Sequence, residues 1–206
     1  MIRELILRNR SYRRFHQEVA VELETLRGFV DLARLSASAA NMQPLRYIIS
    51  CDPQKNALIF SHIGWAAYLK DWGGPHEGEK PSAYIIILED TQTVHPMHCD
   101  HGIAAQSILL GAIEKGLGGC IIGAIEKKGL RKDLAIPQRY EILLVLALGK
   151  PKETVVIEEV LPDGEPMELL ILADTSAYYT IGYSSTNPAQ DGRFRRVRVR
   201  VNRPDV

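Results

Sequence analysis

Residues 101–115 carry Ile103, Ala104, Ala105, Ile108, Leu109, Leu110, Ala112 and Ile113. On a helix these side chains leave almost no polar face, so the segment must be buried in a core or at an interface between chains. Gly116 followed by Leu117 predicts its stop, with glycine in the left-handed position and a hydrophobe behind it. Two further stretches, residues 82–89 and 141–148, are apolar but for Ser82, Glu89 and Glu141 at their ends and are of strand length. They are expected in a sheet covered on both faces, the first of them central. Residues 120–124 read as a shorter buried strand. A helix and strands that all demand burial require one sizeable core, which 206 residues can supply as one domain, or as one domain with an extension.

The remaining elements fit around these. Ile2, Leu5 and Ile6 share one side of a short N-terminal helix. Leu23, Leu26, Val30, Ala33 and Ala37 recur at helical spacing over residues 22–37, with charged residues between them. Pro44 forbids continuation of that helix, which leaves residues 38–43 as a turn of small and amide side chains. Residues 45–51 read as a strand, 53–70 as a helix interrupted at Gly64, and 71–81 as a loop rich in Gly and Pro. Trp72 in that loop is expected either as a lid residue or as a peg packed into a neighbour. Residues 126–134 form a short polar helix. Residues 155–160 are expected as a strand and 161–166 as a turn. Val197, Val199 and Val201 alternate with Arg196, Arg198 and Arg200, the pattern of a strand with one basic face.

Charge and cysteine usage narrow the classes. Formal net charge is zero, which argues against a dedicated nucleic-acid or membrane-surface binder, and no apolar run reaches ~18 residues. Cys51, Cys99 and Cys120 cannot all pair and lie in or beside apolar runs, so a reducing, cytoplasmic setting is expected. His98, Cys99 and His101 invite a zinc or iron reading. Neighbours such as His98 and Cys99 diverge in direction, and no second ligand pair with zinc-like spacing exists, so no metal is expected. Asp100 is instead expected to cap the helix that follows.

Three stretches carry chemistry. Arg10, Ser11 and Arg13 put two planar donor forks and a hydroxyl within four residues, apt for phosphate or carbonyl oxygens. Residues 38–44, Ser-Ala-Ala-Asn-Met-Gln-Pro, let backbone approach a ligand closely while Asn41 and Gln43 offer amides. Residues 116–123, Gly-Leu-Gly-Gly-Cys-Ile-Ile-Gly, follow the buried helix. Together and in this order they resemble the nitroreductase family of FMN-dependent oxidoreductases, over roughly residues 1–152.

The resemblance implies an α+β fold with a mainly antiparallel sheet flanked by helices, forming an intimate homodimer with FMN at the interface. It implies that Arg10 and Ser11 meet the phosphate and ribityl chain, and Arg13 the flavin N1 and C2 carbonyl. Ser38, Ala39, Asn41 and Gln43 would lie along the isoalloxazine and ribityl chain, and Ile122 and Gly123 would face the N5 edge. Flavin N5 would then carry the hydride, with NADH or NADPH as donor and no catalytic side chain. The acceptor would be a small molecule such as a nitroaromatic or a quinone. A guanidinium beside N1 favours the reduced flavin electrostatically. Asn9 stands where the family often has another arginine. Residues 153–206 read as an extension that could pack on the partner subunit. A specialised flavin enzyme of the same fold, dehalogenase-like or flavin-destroying, and a non-enzymatic flavin binder remain as alternatives.

Overall fold

A computed structural model describes residues 2–66, 72–93 and 99–155. In chain order the elements are α1 (Ile2–Arg8), α2 (Leu23–Leu35), β1 (Leu45–Ser50), α3 (Pro53–Ser61), β2 (Ala83–Asp90), α4 (Asp100–Glu114), β3 (Gly118–Ile122), α5 (Lys127–Asp133) and β4 (Tyr140–Gly149). The four strands form one sheet in the order β1-β2-β4-β3, and every neighbouring pair is antiparallel. The architecture is therefore α+β, as expected. The strand and turn expected over 155–166, the alternating segment at 196–201 and His98 lie outside the described residues.

Both faces of the sheet are covered, which is why β2 and β4 are apolar at successive positions rather than at alternate ones. On one face Ile85, Ile87, Leu146 and Leu148 pack against Leu26 and Phe29 of α2 and Ile108 and Leu109 of α4. On the other, Tyr84, Ile86, Leu88, Val145 and Ala147 pack with Ile59 of α3, Leu130 of α5, and Cys120 and Ile122 of β3. Helices α2 and α4 also pack on each other: a Cβ at Gly111 would lie 2.3 Å from Leu32 Cδ1, so that glycine sets how closely they approach. The apolar helix α4 thus finds most of its cover within the chain, leaving Ile103 exposed.

Helix α4 ends as the sequence predicts. Gly116 has φ +71°, the Leu117 amide donates to the Ala112 carbonyl (2.9 Å), and the Gly116 amide donates to that of Ile113 (3.0 Å). These are the two bonds of a Schellman motif. At the other end the expectation fails. Cys99 is the N-cap, and Asp100, the first helical residue, directs its carboxylate elsewhere. Helix α3 also ends earlier than the pattern to residue 70 suggests. Ile63 bridges Ile125, and the Gly64 amide donates to the Ala124 carbonyl (2.7 Å), so a tertiary contact draws the chain out of the helix.

The loop read as a lid or a peg is a pinned strap over residues 72–81. Gln17 Oε1 accepts from the Gly78 and Lys80 amides (2.8 and 3.1 Å), and its Nε2 donates to Glu77 (2.6 Å). The Phe15 amide donates to the Glu79 carbonyl, while Arg14 and Lys152 pair with the Glu79 side chain. Trp72 packs edge-on against Trp65, and the Arg14 guanidinium lies over the Trp72 ring, 5.7 Å from its centroid. Trp72 is a peg.

Candidate functional site

The described chain builds two half-sites on opposite edges of the sheet. The first forms where residues 9–15 cross β3. Ser11 bridges Gly119 in parallel, and the Tyr12 amide donates to the Gly119 carbonyl (3.0 Å). Gly118 admits the Tyr12 ring, since a Cβ there would stand 2.5 Å from Tyr12 Cδ2. Arg13 follows, only 6% exposed. Its Nη1 donates to the Ser11 carbonyl (3.2 Å) and its amide donates to Glu153 Oε2 (3.2 Å). Phe15, wholly buried, anchors the far end of the segment.

Arg13 lines a cleft of about 140 Å³ together with Gly64, Trp65, Ala66 and the stretch from Cys120 to Ala124. Two of the expected cofactor positions, Ile122 and Gly123, therefore meet Arg13 here. Ile122 is buried, whereas a Cβ on Gly123 would meet nothing within 4 Å among the described residues, so that flank is open. Burial pushes the Cys120 thiol above its ordinary value, against the opposing pull of the Arg13 charge. Burial likewise pushes the Glu153 carboxyl up to about 8.

Arg10 is placed differently from the expectation. Its Nε donates to the Leu7 carbonyl (2.8 Å) and its Nη2 to that of Ile6 (2.6 Å). The guanidinium thus closes the C-terminus of α1, where a cation suits the helix dipole. Partial burial lowers its pKa from the ordinary value. Asn9 donates to Gln106 of α4 (3.2 Å), so the residue at the usual arginine position ties α1 to α4.

The second half-site is the loop between α2 and β1. Its centre is a short 3₁₀ turn, Ala39–Asn41. Ala40, Asn41 and Gln43 have φ values of 48°, 55° and 49°. Left-handed residues other than glycine cost on the order of 1–3 kcal/mol each and persist only where the surroundings impose them. Here Ser38 Oγ donates to Asp100 Oδ2 (2.6 Å), and the Ala39 amide donates to Asp100 Oδ1 (3.1 Å). The Gln43 amide donates to Ser38 Oγ (2.9 Å), and Gln43 Nε2 donates to Asn41 Oδ1 (2.7 Å). Arg46 Nη1 donates to the Gln43 carbonyl (3.1 Å). Ser38 and Gln43 line a cleft of about 200 Å³ with Tyr47 and Asp100. Burial, reinforced by the Asp100 charge, pushes the Tyr47 phenol up to about 12.

The structure thus groups Arg13, Ile122 and Gly123 in one cleft, with Ser11 beside it. It groups Ser38, Ala39, Asn41 and Gln43 in one loop. Among the described residues the two groups lie at different sheet edges: β1 and β3 are the outer strands, three strand spacings or about 14 Å apart. Sequence reasoning missed Gly64, Trp65 and Ala66 as walls of the first cleft, Asp100 as the support of the loop, and Glu153 beneath Arg13. A glycine breaking an apparent helix at Gly64 was the one available signal. Among the described residues no group of three or more His, Cys, Asp or Glu could hold a metal ion, and Cys99 is an exposed free thiol.

A sheet clothed by helices on both faces, with an arginine-walled cleft at one edge and a strained amide-bearing loop at the other, defines an α+β cofactor-binding scaffold. Solved structures share it. A nitroreductase described as FMN-dependent from Clostridium difficile aligns with TM-score 0.62 at 25% identity, over 75% of this chain and 89% of that one. A nitroreductase family protein from Streptococcus pneumoniae aligns with TM-score 0.63 at 17% identity, over 79% and 96%. The Nitroreductase family model matches residues 6–72 and 80–150. The chain belongs to the nitroreductase family. Among curated relatives, an NADPH-flavin oxidoreductase of Vibrio harveyi is 25% identical over 176 residues, 77% of this chain and 69% of that protein. An FMN reductase (NADPH) of Bacillus subtilis is 29% identical over 164 residues, 72% of this chain and 65% of that protein. This chain spans about two thirds of the length of each.

Proposed function

We propose that this protein is an NAD(P)H-dependent FMN oxidoreductase that delivers reducing equivalents to a small acceptor, a nitroaromatic or a quinone, and that it works as a homodimer. The observation that carries the reading is Arg13, a guanidinium buried to 6% exposure in the wall of the cleft made by residues 120–124. A guanidinium there offers positive charge and directed donors to an electron-rich ring edge.

The residues present fit FMN. Arg13 would hold the pyrimidine edge, and Ser11 beside it would meet the ribityl chain. The open flank at Gly123 leaves room for the ring's reactive edge. The Ser38–Gln43 loop would supply amides from the other side. Arg10 fits on one condition: to reach a phosphate it must exchange its bonds to the Ile6 and Leu7 carbonyls. When bound, FMN supplies the two-electron carrier between the reduced nicotinamide and the acceptor. The side chains' task is to bind it, to set its potential through the Arg13 charge, and to exclude water with Trp65 and Ile122.

Support for the homodimer is the separation of the half-sites across the sheet together with exposed apolar residues: Ile2, Ile6 and Leu7 on α1, Leu35 on α2, Ile103 on α4, and Ile121 on the edge strand β3. No helix among the described residues is long and apolar enough to cross a membrane, so these side chains are not read as part of a span. Purified protein should be yellow with about one FMN per chain, bleached by NADH or NADPH and recoloured by a quinone. Colourless protein that fails to take up micromolar FMN would overturn the reading.

A further inference from the structure

The strained loop between α2 and β1 hangs from a single buried group. Asp100 is 4% exposed, and its two oxygens take the Ser38 hydroxyl and the Ala39 amide. The hydroxyl oxygen, with its proton committed to the carboxylate, is left free to accept from the Gln43 amide. The chain of bonds runs Gln43 to Ser38 to Asp100 and spans the whole turn. Within it lie Ala40 and Asn41, both in the left-handed region, and Gln43 itself makes a third. Removing the acceptor at its end would leave the Ala39 amide and the Ser38 hydroxyl unpaired, and the Ser38 oxygen that receives the Gln43 amide untethered, in a turn that its own residues do not favour.

We propose that Asp100 is the positioning residue of this loop, acting through Ser38 and Ala39 to hold the left-handed turn in the shape that receives the flavin. The functional half of the inference rests on the FMN reading above; the anchoring half stands on the hydrogen bonds alone. Cys99, not Asp100, occupies the N-cap of α4, and the Asp100 carboxylate faces the loop. Its place in the first helical turn adds the favourable end of the dipole to a carboxylate facing two donors. The rest of α4 is held by Ala104, Ala105, Ile108 and Leu109 in the core, so loss of the carboxylate should free the loop and spare the helix.

The full chain with FMN tests this, using Asp100→Ala, Asp100→Asn, Ser38→Ala and the double variant. In Asp100→Ala, hydrogen exchange should accelerate at the Ala39 and Gln43 amides and stay unchanged in β1, β2 and α4. The FMN dissociation constant should rise about tenfold or more, the scale of losing a charged hydrogen bond. Asp100→Asn should recover most of the affinity, since its Oδ1 can accept from Ala39 while its Nδ2 donates to the second lone pair of Ser38 Oγ. The double variant should bind FMN no worse than the weaker single one, as members of one chain of bonds do. Unchanged exchange at Ala39 and Gln43, exchange that spreads through α4 and the sheet, additive losses, or an FMN affinity that ignores Asp100→Ala would each overturn the proposal. Should the wild-type protein bind no FMN, the proposed function fails, and the exchange measurement still decides whether Asp100 anchors the loop.

Discussion

Replacing Glu153 by glutamine should flatten the dependence of stability on pH. Glu153 Oε2 accepts from the Arg13 amide, and Oε1 is buried with no hydrogen-bond partner among the described residues. Burial raises its pKa from 4.5 to about 8, although the charges of Arg13 and Arg14 pull the other way. The sign follows from proton counting. Between those two values the folded chain holds a proton that the unfolded chain has released, so stability falls as pH rises, by about 1.4 kcal/mol per pH unit at most. The contribution is fully present below about pH 4.5 and is lost once pH passes about 8. Glutamine keeps an acceptor for the Arg13 amide and has nothing to titrate. Glu153→Gln should therefore match the wild type near pH 5 and exceed it by several kcal/mol at most near pH 9. Urea unfolding midpoints across that range, at fixed protein and FMN concentrations, measure the difference. Parallel curves for the two proteins, or a wild type that gains on the variant as pH rises, would refute the reasoning.

Arg13→Met should lower the flavin reduction potential while leaving FMN bound, and Arg10→Ala should weaken FMN binding by ~1.5–3 kcal/mol with little change in potential; potentiometry beside dissociation constants separates them. Gln17→Ala removes the acceptor shared by the Gly78 and Lys80 amides, so limited proteolysis should open a new cut within residues 72–81 while the sheet stays intact. Gly119→Ala would put a Cβ 2.6 Å from the Ala147 carbonyl oxygen and 2.7 Å from Leu148 Cδ2, and should cost ~1–3 kcal/mol by denaturant titration, because neither backbone nor core can yield there.

What was legible in the sequence was whatever depends on neighbours along the chain. The apolar runs of β2 and β4 announced burial on both faces, and the Gly116–Leu117 pair stopped α4 where its own carbonyls need capping. Arg10 was legible too, in retrospect, since its partners lie three and four residues back at the end of a helix. Features set by distant partners were not. The strand β3 starts at Gly118 rather than Cys120 because Gly118 and Gly119 pair with Gly149 and Leu148. Asp100 meets Ser38 across 62 residues, and Glu153 meets Arg13 across 140. The residue types of the site suggested donors for an anion and a ring. They carried no information on separation, and so could not reveal that the donors sit on opposite sheet edges.

That separation makes the subunit origin of each site measurable. If one FMN needs Arg13 of one protomer and the Ser38–Gln43 loop of its partner, two differently damaged chains should repair each other. Take one chain with Ser11 and Arg13 both changed to Ala and another with Ser38 and Asn41 both changed to Ala, each pair chosen to lose FMN as a pure dimer. In a mixed dimer one site collects both lesions, while the other receives an intact Arg13 from one chain and an intact loop from the other. Random mixing makes about half the dimers mixed, with one of two sites restored, so FMN content and turnover should recover to about a quarter of wild type. Damage to a site built within one chain admits no such repair: every chain in the mixture would still carry a lesion, and recovery would be nil. Unfolding and refolding the two variants together, with each refolded alone as control, distinguishes the cases. The same result would explain why β3 leaves Ile121 exposed beside the Arg13 cleft, since a partner that brings its loop to the flavin must also cover that edge.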